Sequence, residues 1–204
     1  FSGSGTKSLS GAITASGNLT IGGTATLDVT ASNFAINLAG NWTSSSSFSP
    51  QIGTVTFNGT ATQSITNAAG ETFYNLTVNN STALNAITLG GPVTVSNTMT
   101  FTDGHIVSTA SNLLTLDVNT TVASVSDGSH VVGPVAKVKN TTSQFAFPVG
   151  NGSNYMPASV TPTSTTSTTY RAQYFSVEQT QGTTLGGGVD HISSQDYWTV
   201  ERTS

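Results

Sequence analysis

The sequence predicts an all-β protein: a β-solenoid of the parallel β-helix kind, followed by a small β-sandwich domain. The first observation is a recurring unit in which a threonine stands between two apolar residues. The second is the regular punctuation of these units by Gly, Asn and Ser, which favour turns. The third is the abundance of β-branched residues, which favour extended backbone. The unit occurs at Leu19–Ile21, Ala25–Leu27, Val55–Phe57, Leu76–Val78, Ile87–Leu89, Val93–Val95, Met99–Phe101 and Leu114–Leu116.

The elements follow one another in cycles. Residues 1–17 are rich in Gly and Ser and indicate a lead-in or an incomplete first coil. The first strands begin at Leu19, and an alternating strand spans Phe34 to Leu38. A second cycle runs from Thr54 to Val78, and a third from Ala86 to Phe101.

In the first and third cycles, neighbouring units start only six residues apart, which is enough for a short strand and a tight turn. Successive strands would therefore lie on successive sides of a coil, with coils stacked about 4.8 Å apart. The apolar flanks would point inward and the threonines outward, because side chains alternate along a strand. An antiparallel sandwich also has alternating strands and frequent turns, so it stays open as an alternative.

The composition changes near Ser126, where the recurring unit ends and prolines and charges become more frequent. We therefore expect a solenoid domain at 1–126 and a sandwich-like capping domain at 127–204, the second being incomplete. The chain as a whole is expected to be a segment of a longer polypeptide. Longer strands are predicted at 130–139, 144–149, 159–161, 169–177 and 197–202, with turns at 127–128, 150–152 and 186–188.

Charge and composition exclude several function classes. Only 7% of residues are charged, and the formal net charge is −4. The five basic residues are scattered, whereas nucleic-acid binding needs clustered Lys or Arg. No apolar run reaches the roughly 18 residues of a membrane span, and the absence of cysteine excludes disulfides and thiol chemistry.

Catalytic side chains are scarce. The predicted solenoid has four acids, Asp28, Glu71, Asp103 and Asp117, which we interpret as turn and surface residues. A polysaccharide-acting β-helix enzyme would need an acid pair flanking the scissile bond. The predicted solenoid also has no Arg, and Lys7 is its only Lys, which leaves little to stabilise an anionic sugar. We predict that the protein is not an enzyme and has no catalytic residues.

No metal or cofactor site is predicted. His105, His130 and His191 are far apart in sequence, and Asp190 and Asp196 beside His191 do not form a known ligand spacing. Gly186–Gly188 is not followed by the Lys and helix of a phosphate loop.

Two binding surfaces are open hypotheses. The aromatic residues Trp42, Tyr74, Tyr197 and Trp198 could stack on sugars, although such residues more often fill cores. Threonine pairs separated by one residue resemble the ice-binding face of some antifreeze proteins, but they are unevenly spaced. These pairs are Thr24/Thr26, Thr54/Thr56, Thr60/Thr62 and Thr98/Thr100.

A larger set of motifs resembles one protein family. The runs Ala39–Thr43, Gly53–Ile65 and Phe73–Asn80 resemble the repeats of large secreted surface proteins of Bacteroidota. The runs Val132–Val135, Phe145–Gly150, His191–Ser194 and Tyr197–Thr203 are similar to the module that follows those repeats. The resemblance implies a β-solenoid followed by a sandwich, export by type IX secretion, and an adhesin-like role at the cell surface.

Together these observations predict a non-enzymatic extracellular protein, structural or adhesive, in which the solenoid is a rigid spacer or a filament-forming segment. The expected partners are further copies of the chain, or a glycan or surface receptor. The alternatives are a β-helix enzyme acting on polysaccharides and an ice-binding protein using its threonine ladders.

Overall fold

The computed structural model describes residues 1–82, 84–177 and 195–203, and these residues form 22 β-strands and no helix. The first three coils contain β1 (Ser4–Ser8), β2 (Ile13–Ala15), β3 (Leu19–Ile21), β4 (Thr24–Asp28), β5 (Ile36–Leu38), β6 (Trp42–Ser44), β7 (Ser47–Ser49), β8 (Thr54–Phe57) and β9 (Gln63–Thr66). The fourth to sixth coils contain β10 (Glu71–Asn79), β11 (Ile87–Leu89), β12 (Val93–Asp103), β13 (Ile106–Val107), β14 (Leu114–Leu116), β15 (Thr121–Ala123) and β16 (Val131–Val132). The remaining strands are β17 (Val135–Lys139), β18 (Phe145–Phe147), β19 (Val149–Gly150), β20 (Ala158–Val160), β21 (Thr168–Phe175) and β22 (Tyr197–Arg202).

The coils stack into three walls of parallel strands, which confirms the solenoid and excludes the antiparallel sandwich for this part of the chain. Wall 1 contains β1, β4, β7, the first halves of β10 and β12, β14 and β17. Wall 2 contains β2, β5, β8, the second halves of β10 and β12, and β15. Wall 3 contains β3, β6, β9, β11, β13, β16 and β19.

The interior consists of apolar columns that run from coil to coil. In wall 2, strand register stacks Ala15, Leu38, Phe57, Val78 and Phe101 on one another, and the last four are fully buried. All eight predicted units have both apolar flanks buried and the threonine at least partly exposed. The predicted inward and outward faces are therefore confirmed. Residues 1–17, predicted as a lead-in or an incomplete coil, provide the first two strands of the first coil.

Coils differ in length, and the corners between walls absorb the difference. Paired residues on wall 3 lie 18 positions apart at Val131 and Val149 but 25 apart at Ile106 and Val131. Tight corners need glycine in places: Gly104 has a φ of +86°, and a Cβ there would lie 2.5 Å from the carbonyl oxygen of Asn80. The strands therefore stay in register from coil to coil, although the number of residues per coil varies.

The parallel ladders continue past the predicted domain boundary. The boundary expected between residues 126 and 127 falls inside the sixth coil, because β16, β17 and β19 continue the parallel ladders. β17 then pairs antiparallel with β21, and β21 with β22, while β18 and β20 form a separate two-stranded sheet. The small β-sandwich is not confirmed, since β21 and β22 extend the sheet of wall 1. The predicted turn at Gly186–Gly188 lies outside the described residues.

The described part of the chain contains no helix with the length and apolarity that crossing a membrane requires.

Candidate functional site

Glu71 is the acid that lies buried among the residues that the structure describes. Wall 1 is interrupted between β7 and β10, which belong to different sheets, and Glu71 opens the second part of the wall. It points inward at the start of the column Glu71, Val93, Leu114, Val135 and is 5% exposed. Trp42 Nε1 donates a hydrogen bond of 2.8 Å to Glu71 Oε2, and Asn67 Nδ2 donates one of 3.4 Å. The interpretation of Glu71 as a turn or surface residue is therefore wrong.

Burial raises the pKa of Glu71, and the hydrogen bonds from Trp42 and Asn67 only partly oppose this. A cavity of about 280 Å³ is lined by Glu71 together with Ser46, Phe48, Gly70 and their neighbours. A raised pKa in a cavity is the environment of a general acid. Glycoside hydrolysis needs a second carboxylate, however, and no other acid is among the described residues that line this cavity.

The other acids of the predicted solenoid lie outside the core. Asp28 accepts hydrogen bonds from Gln51 Nε2 and the Thr30 backbone N–H, and these bonds lower its pKa. Asp117 accepts the backbone N–H of Val118 at 2.7 Å. Asp103 is the exposed last residue of β12. For these three residues the turn and surface interpretation is confirmed.

Two histidines that are distant in sequence pack edge to face in the structure. The ring centroids of His105 and His130 lie 4.3 Å apart at the corner before wall 3, and both residues are buried. His130 bonds the Ser126 carbonyl through Nδ1 and accepts the Gly152 backbone N–H through Nε2, which fixes a neutral ring. Burial lowers the pKa of His130, and the nearby His105 lowers it further.

The histidine pair does not form a metal centre with the residues that the structure describes. Within residues 1–82, 84–177 and 195–203, no three His, Cys, Asp or Glu side chains are placed to hold one ion. Asp190 and His191 lie outside the described residues, and Asp196 accepts a hydrogen bond from the Tyr174 hydroxyl. The pair instead joins two coils through backbone hydrogen bonds.

The candidate sugar-stacking aromatics are dispersed. Trp42 is fully buried and packs edge-on against Phe48 and Phe73. Trp198 is 40% exposed on β22, and its indole N–H is bonded to the Met156 carbonyl. Tyr197 is stacked on Phe175 at 4.7 Å. Trp42 therefore belongs to the core, and Trp198 remains at the surface.

The threonine pairs of wall 2 are better ordered than their sequence spacing indicates. Strand register places Thr54/Thr56 and Thr98/Thr100 in the same two outward columns, with Asn75/Thr77 between them. Asn75 Nδ2 donates to Thr54 Oγ1 at 3.3 Å, and Asn97 Nδ2 donates to Asn75 Oδ1 at 2.7 Å. We call these outward columns the wall 2 array; its members are Thr54, Thr56, Asn75, Thr77, Thr98, Thr100 and Thr121.

Two functional candidates were missed by the sequence reasoning: Lys137 and Lys139. Both lie on β17, face inward and are buried, and both line a cavity of about 420 Å³. The statement that Lys7 is the solenoid's only lysine depended on the boundary at residue 126 and is wrong for the observed ladder. Alternation along β17 would have placed both lysines on the side of Val135, had this strand been recognised as part of the coil.

No protein-family model, curated protein or solved structure matches this chain.

Proposed function

We propose that this chain is a non-enzymatic structural and adhesive protein of the cell surface, in which the solenoid is a rigid scaffold. The observation that carries the proposal is the outer composition of the walls. Every recurring unit gives its two apolar side chains to the core and a hydroxyl group to the surface. Such walls offer many uncharged hydrogen-bonding groups and few groups that could transfer a proton.

Two further observations support this role. The acids of the predicted solenoid are held by neutral donors or lie at strand ends, so they do not supply the acid pair that a polysaccharide-cleaving enzyme needs. The motif resemblance to secreted Bacteroidota surface proteins adds the extracellular location and export by type IX secretion. The proposed ligands are glycans or a surface receptor.

A paired assay tests the proposal. Beads coated with the purified chain should adhere to glycan-coated surfaces more strongly than beads coated with an inert protein of similar net charge. The same chain should release no sugar from a panel of plant and algal polysaccharides. Product release by the unaltered chain that disappears in Glu71→Gln would refute the non-enzymatic role, because Glu71 is the described acid with a raised pKa beside a cavity.

Self-association is part of the same proposal. β1 is an edge strand of its sheet, and β22 is the edge of the ten-stranded sheet. Edge strands present backbone groups that a second copy can pair with. Sedimentation over a hundredfold concentration range should show growing oligomers, and a constant monomer would contradict filament formation.

Ice binding is a second candidate, and the register of the wall 2 array favours it. One column repeats at the strand spacing of about 4.8 Å across four strands, and the other repeats across three strands and ends at Ala123. Six of the seven members of the array are threonines. A regular lattice of hydroxyl groups is what an ice-binding surface requires, and uneven sequence spacing no longer argues against it.

A cold-stage microscope separates the two candidates. If the array binds ice, the unaltered chain should shape growing ice crystals, and Thr77→Lys at the centre of the array should abolish the effect. Thr88→Lys, on the outer face of wall 3, is the matched control and should retain it. Round, unshaped crystals with the unaltered chain would exclude ice binding.

A further inference from the structure

The cavity beside Lys137 and Lys139 lies at the C-terminal end of the solenoid. Its volume is about 420 Å³, within the range of small-molecule sites. β15 is the last described strand of wall 2, and the chain after β17 folds back across this end. The cavity is lined by residues 118–122, by the two lysines of β17, and by Thr141 and residues 143–146. We call this cavity the lysine pocket.

Lys137 has a structural role, because its ammonium group bonds the protein's own backbone. It ends the inward column Phe73, Val95, Leu116, Lys137 and is 2% exposed. Its ammonium group donates to the backbone carbonyls of Asp117, Val118 and Thr120, which uses all three N–H groups. The ring of Phe145 lies 5.1 Å from Nζ. Lys137 therefore ties β17 to the backbone of residues 117–120 in the preceding coil.

Lys139 is differently placed. It is 7% exposed, and its ammonium group makes one hydrogen bond among the described residues, 2.9 Å to Ser143 Oγ. Two of its three N–H groups are left for a ligand. The ion pair of the described residues joins Arg171 and Glu201, so neither lysine of the pocket has a carboxylate partner there. Two buried ammonium groups without such a partner produce a positive potential inside a protein of net charge −4, and the nearby Asp117 carboxylate offsets it only in part.

We propose that the lysine pocket binds an anionic sugar unit, with the acidic group at the ammonium of Lys139. Carboxylate and sulfate share the chemistry that this site recognises, an oxyanion on a hydroxyl-bearing ring. The side chains of Thr121, Ser143 and Gln144 provide hydroxyl and amide groups for the ring hydroxyls, and Phe145 provides an apolar surface. The inference deepens the proposed adhesive function, on which it rests, by naming the class of ligand.

Electrostatics supports placing the acidic group of the sugar at Lys139. Burial lowers the pKa of Lys137 to about 8, and the like charge of Lys139 contributes to this shift. An anion bound at the Lys139 ammonium group would offset part of this repulsion. Because the whole protein is acidic, the attraction is local to the pocket and should weaken as salt is added.

Calorimetric titration of the full chain tests the proposal with three probes: a digalacturonate, a sulfated galactose disaccharide and a neutral galactose disaccharide. The two charged probes should bind about tenfold or more tightly than the neutral one. A preference between them identifies carboxylate or sulfate as the natural group. Equal binding of all three probes, or no binding, would overturn the proposal.

Variants locate the site. Lys139→Gln should weaken binding of the preferred probe by about 10- to 100-fold, because a charge-assisted hydrogen bond is lost. Thr121→Tyr places a bulky group at the exposed rim without disturbing the core and should also block binding. Lys7→Gln removes the same charge from wall 1 at the opposite end and should leave binding unchanged. Equal affinity of Thr121→Tyr and the unaltered chain would refute this location.

Failure of the lysine pocket and failure of the adhesive role would give different results. If soluble anionic sugars bind but coated beads do not adhere, the pocket stands and the adhesive role fails. If beads adhere equally well with Thr121→Tyr and the titrations show no binding, the adhesive role stands and the pocket fails.

Discussion

Replacing Phe57 by alanine tests whether the apolar columns hold the solenoid together. Phe57 is fully buried between Leu38 and Val78 in its column, and its ring meets Phe73 edge-on at 6.3 Å. A buried aromatic side chain removes about 150–250 Å² from water. At about 25 cal/mol per Å² this is worth roughly 4–6 kcal/mol. Alanine retains part of that area, so we expect a loss of about 3–5 kcal/mol in the free energy of unfolding.

Urea denaturation followed by circular dichroism measures this loss, and a thermal melt should show a Tm lower by roughly 6–20 °C. Thr56→Ala is the matched control, because Thr56 is the neighbouring residue on the outward face and should cost less than about 1 kcal/mol. A loss below about 1 kcal/mol for Phe57→Ala, or equal losses for both variants, would refute the column as the source of stability.

Three further predictions concern buried ionisable groups. Because the folded pKa of Glu71 lies above 4.5, its ionisation costs stability as pH rises through that folded pKa. Glu71→Gln keeps an acceptor for the Trp42 N–H and should raise the Tm at pH 7; a lower Tm would contradict this. Because the folded pKa of His130 lies below 6.5, stability should fall as pH drops below 6.5. Melts of His130→Gln across pH 5–8 should show a flatter pH dependence, although the variant starts less stable because the Gly152 bond is disturbed. Lys137→Met leaves three backbone carbonyls without their donor and should lower the free energy of unfolding, measured in urea, by about 1–3 kcal/mol. An unchanged urea midpoint would show that these three hydrogen bonds do not contribute to stability.

The parts of the fold that follow local rules could be predicted from the sequence. The alternation in units such as Met99–Phe101 determines which side chains enter the core, because successive residues of a strand point in opposite directions. The uneven spacing of the units obscured the register between coils, since a coil of wall 3 takes between 18 and 25 residues and the corners absorb the variation. For this reason the alignment of Thr54/Thr56 with Thr98/Thr100 could not be foreseen.

Glu71 shows why the interior was only partly predictable. In β10, Leu76 and Val78 face inward, and simple alternation from them would place Glu71 outside. The register shifts between Phe73 and Asn75, and this irregularity reverses the alternation, so that Glu71 and Phe73 face inward as well. A bulge of this kind depends on the neighbouring coils and leaves no clear local signature.

The change in composition after Ser126 does not coincide with a change in the parallel ladders, because β16, β17 and β19 continue them. Lys137 occupies an inward position that earlier coils fill with Phe73, Val95 and Leu116. A lysine does not fit the apolar pattern of the repeat at this position, yet its side chain continues the same column.

The stacking of wall 3 determines how far the protein can reach. Its seven strands are separated by six steps, so the solenoid is only about 29 Å long at roughly 4.8 Å per step. The same 150 residues fully extended would span roughly 500 Å. Each further coil would therefore add little length but one complete row to three surfaces. A longer solenoid of this kind would gain length and wall surface in proportion, with one row of side chains on each wall per roughly 4.8 Å.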